Sequence, residues 1–298
     1  MNGIAYLVAI CVLLCVVCDG RRSDFRLKIP RGHKRGEKHF AIRPFKEVGE
    51  RLRKHNPKKD KSYPFEQGYG FYHQFDIMLR PDVEQNAILP GYQNSNRWTN
   101  AIIPYKYIGN FTAAHKTIIE TAMKYLMRDT CVKFVEHTNE PFYTSIDSAP
   151  SGCWSYVGMI WNNDYNKVNL EIPGCIDTGT ASHELMHAMG FHHEHVRPDR
   201  DDWISINRSA LHSFYNTDSF YDSAYLKRPW NITELYGQDY NYTSVMHYSA
   251  WAAAASSAYP VLIPKKPWTG RLGNNTGPSA IDTKVINYMY CNSTMKYY

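Results

Sequence analysis

Residues 183–195, HELMHAMGFHHEH, constrain this chain more than any other stretch. An α-helix turns once in about 3.6 residues, so His183 and His187 project from one face one turn apart. Two imidazoles placed that way can hold one cation, while Glu184 beside the first reaches the open side of the ion. Gly190 can adopt the positive φ that ends a helix without a Cβ clash. The chain can then turn back and bring His193 in as a third ligand. Three neutral imidazoles leave zinc one position for water, the arrangement of a catalytic rather than a structural site. The five residues HELMH alone would arise by chance in many helices; the longer pattern is far more selective.

That longer pattern, HExxHxxGxxH, marks the metzincin zinc peptidases, whose second signature is a tight turn carrying Met beneath the metal. Ser244, Val245, Met246, His247 and Tyr248 (SVMHY) supply such a turn, and the first motif continues as Glu194, His195, Val196, Arg197, Pro198, Asp199, Arg200, Asp201. With Glu directly after the third His and the RxDRD string behind it, the chain resembles the astacin family. The likeness covers roughly residues 86–291, through Trp98, SGCWSYVG, both signatures and the terminal KVINYMYC.

The resemblance implies an α+β fold: a mixed twisted sheet with two long helices in an upper half, a loop-rich lower half with a C-terminal helix, and a cleft between them. It implies one Zn2+ on His183, His187 and His193, with Met246 packed under the imidazoles. Tyr248 would bind zinc at rest and swing to meet the oxyanion, as a phenol can by donating one strong hydrogen bond. Glu194 would meet the new amino terminus of the mature enzyme, the alternative being a salt bridge to Arg197 or Arg200. Trp154, Ser155 and Tyr156 match the edge strand on which substrate lies extended, and backbone pairing of that kind makes few sequence demands. The family's FxGD propeptide motif, whose Asp closes the zinc, is altered to His73, Gln74, Phe75, Asp76, Ile77; Asp76 survives as the inhibitory ligand, with His for Phe and Phe for Gly. Gln85 stands where a basic residue commonly precedes the activation cut. After SVMHY the chain runs AWAAAASSA where relatives have an FS pair, which leaves the primed-side pocket open.

The apolar run from Ile4 to Val17, followed by Cys18 and Gly20, reads as a signal peptide over residues 1–20, too short to span a bilayer comfortably. Removing Cys11, Cys15 and Cys18 leaves four of the seven cysteines, Cys131, Cys153, Cys175 and Cys291, an even count suited to an oxidising compartment. Four cysteines allow three pairings, which sequence leaves open; the resemblance implies Cys131 with Cys291 and Cys153 with Cys175. Sequons at Asn110, Asn207, Asn231, Asn241, Asn274 and Asn292 fit the same secretory route. The formal charge of +6 is uneven, because residues 21–85 hold 17 Lys or Arg against 9 Asp or Glu, and residues 86–298 hold 17 against 18. The basic segment is poor in apolar residues and cannot fold alone. It is expected to be a solvated propeptide, residues 21–85, ahead of a catalytic domain over residues 86–298, the minimal domain set for the family.

Within that domain, residues 110–128 carry helical spacing after a Thr112 cap, and strands are expected over residues 102–107, 132–136, 156–161 and 168–172. The zinc helix should start near residues 178–182 and end at Gly190. Residues 198–277 lack periodicity until Ser279 caps a last helix bearing Ile281, Val285, Ile286 and Met289. His192, His195 and His247 are expected to be structural, since three ligands already complete the set.

Chemically, zinc lowers the pKa of a bound water from about 15.7 towards 7, and Glu184 can take the released proton and pass it to the leaving amine. The function expected is a secreted, zymogen-derived zinc endopeptidase acting on extracellular proteins or peptides, a monomer cut by an activating protease, with no nucleic-acid partner and no stable membrane insertion. The alternative is a catalytically silent secreted binding protein on the same fold.

Overall fold

Two short helices, α1 (Glu47–Leu52) and α2 (Pro57–Asp60), open the part of the chain that the computed structural model describes, residues 47–67, 72–79, 97–213 and 215–291. The expected signal peptide, the junction of Gln85 with Asn86, and Asn292 lie outside these residues. All described residues belong to the unit spanning residues 38–298.

β1 (Ile102–Tyr107), β2 (Lys133–Glu136), β3 (Thr144–Asp147), β4 (Cys153–Ser155) and β5 (Lys167–Leu170) form one sheet in the order β2-β1-β3-β5-β4. The first four in that order pair in parallel, and β4 closes the edge antiparallel to β5. Parallel strands covered by other elements read as near-continuous apolar runs, and Ile103, Ile146, Val168 and Leu170 are wholly buried.

α3 (Ala113–Met127) begins at Thr112, whose Oγ1 accepts the His115 amide while the His115 ring takes the Thr112 amide. It buries Ile119, Ala122, Met123 and Leu126, the i, i+3, i+4, i+7 stripe of an amphipathic helix. α4 (Thr178–Ala188) is capped by Asp177, which accepts the Thr180 amide at 2.9 Å, and is buried along ten of its residues because it packs between α3 and strands β4 and β5. Its end is set by Gly190 at φ 104°.

The lower half holds a two-stranded antiparallel pair, β6 (Ile204–Ile206) with β7 (Leu262–Pro264), the helix α5 (Asp218–Tyr225), and α6 (Ala280–Tyr290) behind its Ser279 cap. β6, α5 and β7 fall in the stretch expected to be irregular. α5 is short, and its Thr217 cap lies among Asn, Asp and Ser residues that equally favour turns.

Two further expectations are corrected. The strand expected over residues 156–161 lies earlier, at β4. Gly158 sits at φ 74°, and the Asn166 side chain bonds both the amide and the carbonyl of Ile160 at 2.8 and 2.7 Å, replacing a ladder there. The basic segment is only partly solvated over its described part: Arg53, Lys54, Lys58, Lys59 and Lys61 are exposed, but its apolar side chains are not. Val48, Leu52, Tyr63, Phe65, Tyr72, Phe75, Ile77 and Met78 are buried. Leu52, Tyr63, Phe65 and Phe75 join the main core with Leu185 and Met246, and Val48, Tyr72 and Met78 pack with Trp154, Tyr156 and Ile160. Too few apolar residues for a core of its own suffice once the domain supplies the other half, at about 1.5–3 kcal/mol for each large side chain removed from water.

Disulfides join Cys131 to Cys291 and Cys153 to Cys175. The first ties the residue after the α3 turn to the end of α6; the second ties β4 to the approach to α4.

Candidate metal centre

α4 presents His183 and His187 from one face, and the turn after Gly190 returns His193 to them. The Nε2 atom of His193 lies 3.1 Å from Nε2 of His183 and 3.2 Å from Nε2 of His187. Each ring is aimed by its other nitrogen. Nδ1 of His183 lies 2.7 Å from the Val245 carbonyl, Nδ1 of His187 2.8 Å from the Phe191 carbonyl, and Nδ1 of His193 2.9 Å from Oε1 of Gln74. A carbonyl oxygen only accepts, so each Nδ1–H donates and each Nε2 turns a lone pair inward. Three inward lone pairs need a cation between them, and the donor set fits zinc. Burial lowers the His183 pKa and brings His193 down to about 3, which keeps those two rings neutral.

A carboxylate closes the ring. Oδ2 of Asp76 lies 3.1 Å from Nε2 of both His183 and His193, and Oδ1 lies 3.5 Å from Nε2 of His187. These four residues place ligand atoms within 4.8 Å of one another. Oδ1 of Asp76 and both oxygens of Glu184 are buried without a hydrogen-bond partner, a costly state that a metal ion with its water would relieve. Burial, then the charge of Asp76, pushes the Glu184 carboxyl well above the usual range.

Asp76 is delivered by a sharp turn. Gln74 and Phe75 stand at φ 46° and 70°, and Phe75 occupies the position where the family pattern has Gly. A bulky residue at positive φ costs energy. Here its ring stacks on Tyr248 at 5.2 Å and on Phe220 at 5.2 Å, and meets Tyr225 edge-on at 5.9 Å, contacts that offset the strain.

In the turn over residues 244–248, Met246 is buried and its carbonyl accepts the Glu194 amide at 2.9 Å. Asp282, from the first turn of α6, fixes this turn by accepting Ser244 Oγ at 2.6 Å and the Val245 amide at 3.0 Å. Tyr248 is buried with its ring 4.6 Å from that of His193, and its hydroxyl donates to the Gln74 carbonyl. The edge strand is occupied as well. The Ser155 amide donates to the Asp76 carbonyl at 2.9 Å and the Met78 amide to the Ser155 carbonyl at 2.8 Å, so residues 76–78 lie along β4 beside Trp154. Tyr156, just past the strand, instead pairs with Lys167.

Glu194 takes the local partner among the described residues. Its Oε1 accepts Nη1 of Arg197 at 2.9 Å and the Asn241 amide at 2.8 Å, and burial raises its carboxyl to about 7. Beside it lies a cavity of about 40 Å³, lined by Glu194, Arg197, Asn241, Met246 and Asp282. The remaining imidazoles stay off the metal ring. His195 bonds the Ala224 carbonyl at 2.9 Å, His247 lies between the Tyr240 hydroxyl and the Tyr248 carbonyl, and His192 meets Arg228.

Of the sequons, Asn110 and Asn231 are exposed and Asn207 and Asn274 are partly so. Asn241 is corrected: it is 4 % exposed, and its Nδ2 donates to Ser279 Oγ at 2.7 Å and to Asp282 at 3.3 Å, leaving no amide for a glycan.

Sequence reasoning missed Phe65, whose ring stacks on His183 at 3.8 Å, and Glu66, whose carboxylate accepts the amides of Ser249 and Tyr63 at 2.7 Å each. It also missed Gln74 and Asp282. A signal existed only for Asp282, as the acid of the capping box with Ser279.

The family model for astacin, a peptidase family, matches residues 91–291. The zinc metalloproteinase nas-4 of Caenorhabditis elegans is 34 % identical over 228 residues, covering 74 % of this chain and 69 % of that protein. The zinc metalloproteinase nas-7 of the same organism is also 34 % identical, over 72 % of this chain and 53 % of its own length. Among solved structures, high choriolytic enzyme 1, a hatching-enzyme zinc protease of the medaka fish Oryzias latipes, superposes with a TM-score of 0.59 at 28 % identity, covering 68 % of this chain and 98 % of that one.

Proposed function

Because the chain belongs to the astacin family of zinc metalloendopeptidases, we propose that it is a secreted endopeptidase made as a latent zymogen, cleaving extracellular proteins or peptides after an activating protease removes residues 21–85. The observation that carries this reading is the carboxylate of Asp76 set against three inward-facing imidazoles, with Glu184 buried and unpartnered beside it.

His183, His187 and His193 would hold the zinc ion, and Asp76 would hold it as well while the described part of the basic segment, residues 47–67 and 72–79 (the strap), is in place. Bound zinc polarises a peptide carbonyl and acidifies water. Glu184 takes the proton of the attacking water and returns it to the leaving amine. Tyr248 is released from the Gln74 carbonyl when the strap leaves, and its hydroxyl then donates to the developing oxyanion. The same departure frees the Ser155 amide and carbonyl to pair with an extended substrate. The two disulfides and the exposed sequons at Asn110 and Asn231 favour a secretory route. Among the described residues no helix is long and apolar enough to cross a membrane. A monomer is the proposed state, and the silent binding-protein reading is disfavoured by the retention of Glu184 and Tyr248.

The decisive experiment separates ligand from base. Glu184→Gln should keep about one zinc per chain by elemental analysis and lose on the order of 10²–10⁴ in peptide hydrolysis, whereas His187→Ala should lose both metal and activity. Near wild-type hydrolysis by Glu184→Gln would overturn the assignment.

A further inference from the structure

The strap carries its positive charge in one short stretch. Residues 51–61, RLRKHNPKKDK, hold six Lys or Arg against one Asp, and Arg53, Lys54, Lys58, Lys59 and Lys61 are exposed. Lys54, Lys58 and Lys59 make no ion pair among the described residues. Arg53 stays 49 % exposed beside Glu171, and Nζ of Lys61 donates to the Ser257 carbonyl at 3.1 Å while lying 4.7 Å from the centre of the Trp251 ring.

The turn that displays these cations is ordered by its own main chain. The amides of Arg53, Lys54 and His55 donate to the carbonyls of Gly49, Arg51 and Leu52 at 3.1, 2.9 and 3.0 Å, which finishes α1. Oδ1 of Asn56 then accepts the amides of Lys58 and Lys59 at 3.1 and 3.2 Å and opens α2. Asp60, the single acid of the stretch, turns back to accept the Asn56 amide at 2.9 Å. Leu52 and Tyr63 are buried at the two ends, and Nε2 of His55 donates to the Ser62 carbonyl at 3.2 Å. Like charges crowded on one turn repel, an arrangement that a polyanion relieves. A turn already ordered meets that polyanion without the entropy loss of being fixed on binding.

The chemistry selects the kind of polyanion. Among its described side chains the turn exposes none that is aromatic or large and apolar: Leu52 is buried and the His55 side chain is 2 % exposed. Single-stranded nucleic acid is gripped by aromatic platforms as well as charge, and membrane-surface segments add apolar anchors. The anionic leaflet of a cell membrane also faces the cytoplasm, away from a secreted protein. A chain of sulfates asks only for dense, ordered cations.

We propose that the turn from Arg53 to Lys61 docks the latent form on a sulfated polysaccharide outside the cell, and that trimming frees the catalytic domain from it. The inference rests on the secreted-zymogen reading above and gives the discarded piece a partner of its own. Residues 21–85 hold 17 Lys or Arg against 9 Asp or Glu, whereas residues 86–298 hold 17 against 18, so removing the segment removes the attraction with it.

Immobilised heparin, a sulfated polysaccharide, is the probe. The zinc-loaded proform, carrying Glu184→Gln to prevent self-trimming, should be retained at about 0.15 M salt, and the form trimmed at residue 86 should elute below that. Lys54→Gln, Lys58→Gln and Lys59→Gln combined should weaken the proform on the order of tenfold or more and flatten its salt dependence, because fewer counterions are released. All three side chains are exposed, so the thermal midpoint should hold, and Arg at the same three positions should restore retention. Elution of the triple Gln variant with the parent proform, or equal retention of the trimmed form, overturns the proposal. Binding to desulfated heparin, duplex DNA or phosphatidylserine vesicles as tight as to heparin at the same salt overturns it too, since the turn would then serve another polyanion. A wild-type secreted protein whose intact mass always includes residues 21–85 would instead sink the zymogen reading, and the triple variant on heparin would still report on the turn.

Discussion

The floor of the metal centre and the strap across it, residues 47–67 and 72–79, are built on opposite principles. The floor aims two of its three imidazoles with main-chain oxygens, those of Val245 and Phe191, and these belong to the chain that carries the ligands. The strap reaches the centre with side chains from a segment more than a hundred residues earlier: Asp76 on the imidazoles, Gln74 on His193, Phe65 on His183, Glu66 on Ser249. On the proposed zymogen reading, geometry that would survive activation is fixed by backbone, and geometry that would be discarded is fixed by the piece to be removed. One ring crosses that division, because the Gln74 oxygen that orients His193 would leave with the strap.

The comparison breaks most sharply at Asp76. If its carboxylate holds the position that catalytic water needs, the Asp76→Ala proform should hydrolyse peptides at a rate orders of magnitude above the wild-type proform, with zinc content unchanged. A folded, zinc-loaded Asp76→Ala proform that stays silent would mean that Tyr248 capture and the occupied edge of β4 suffice for latency.

The next effect lies on the floor itself. Glu194 pairs with Arg197 beside a cavity of about 40 Å³, and the expected amino terminus at Asn86 lies outside the described residues. Should trimming send an ammonium group into that cavity, an enzyme carrying extra amino-terminal residues would lack that added ion pair and unfold at a lower temperature, and Glu194→Gln would erase the difference between the two forms. Thermal unfolding of trimmed and extended forms in both backgrounds measures this. Equal midpoints in wild type would leave Arg197 as the lasting partner.

What the sequence disclosed follows the same division. The ligands, the base, the Met turn and the caps at Thr112 and Ser279 are set by local spacing, and local spacing is what a sequence displays. Asp76 was found through a motif resemblance despite Phe75 in place of Gly. The other strap contacts were missed because each joins residues far apart in the chain; nothing near Glu66 in sequence announces that its carboxylate will meet the amide of Ser249. The strand misplaced to residues 156–161 has a related cause, since Asn166 bonds the main chain of Ile160 from outside that stretch. In sequence the strap reads as solvated because its basic residues dominate composition, while burial depends on a few apolar side chains spaced between them.

Glu66 offers a third way to sharpen the contrast, through pH. Burial pushes its carboxyl up to about 7, although donors on Ser249 and Tyr63 pull the other way. A carboxyl whose pKa is raised on docking favours the docked state most at low pH. Docking should therefore weaken as pH rises from about 4.5, the ordinary value, to about 7, and level off above that. The effect is on the order of 3 kcal/mol at most. Glu66→Gln should flatten the dependence over that window. Rates of limited proteolysis of the strap across pH, compared between wild type and Glu66→Gln, read this out, and identical slopes would assign the pH response to other groups.

The smallest effect is expected where the strap meets the domain near solvent. Nη1 of Arg53 lies 3.3 Å from Oε1 of Glu171, with the arginine side chain 49 % exposed and the carboxylate buried. An ion pair open to water on one side is worth about 0–1 kcal/mol, so Arg53→Ala should shift the proform midpoint only slightly and leave latency intact. Glu171 is not equivalent. Its second oxygen accepts the Gly152 amide at 2.8 Å, just ahead of β4, and that bond lies within the domain rather than across the strap. Glu171→Ala leaves a buried amide unpaired, at a cost of about 1–3 kcal/mol in the trimmed enzyme as well as the proform. Arg53→Ala should disturb the proform alone. Unfolding midpoints for both substitutions in both forms test whether the division between floor and strap extends to single side chains, and a matching loss from Arg53→Ala in the trimmed enzyme would show that it does not.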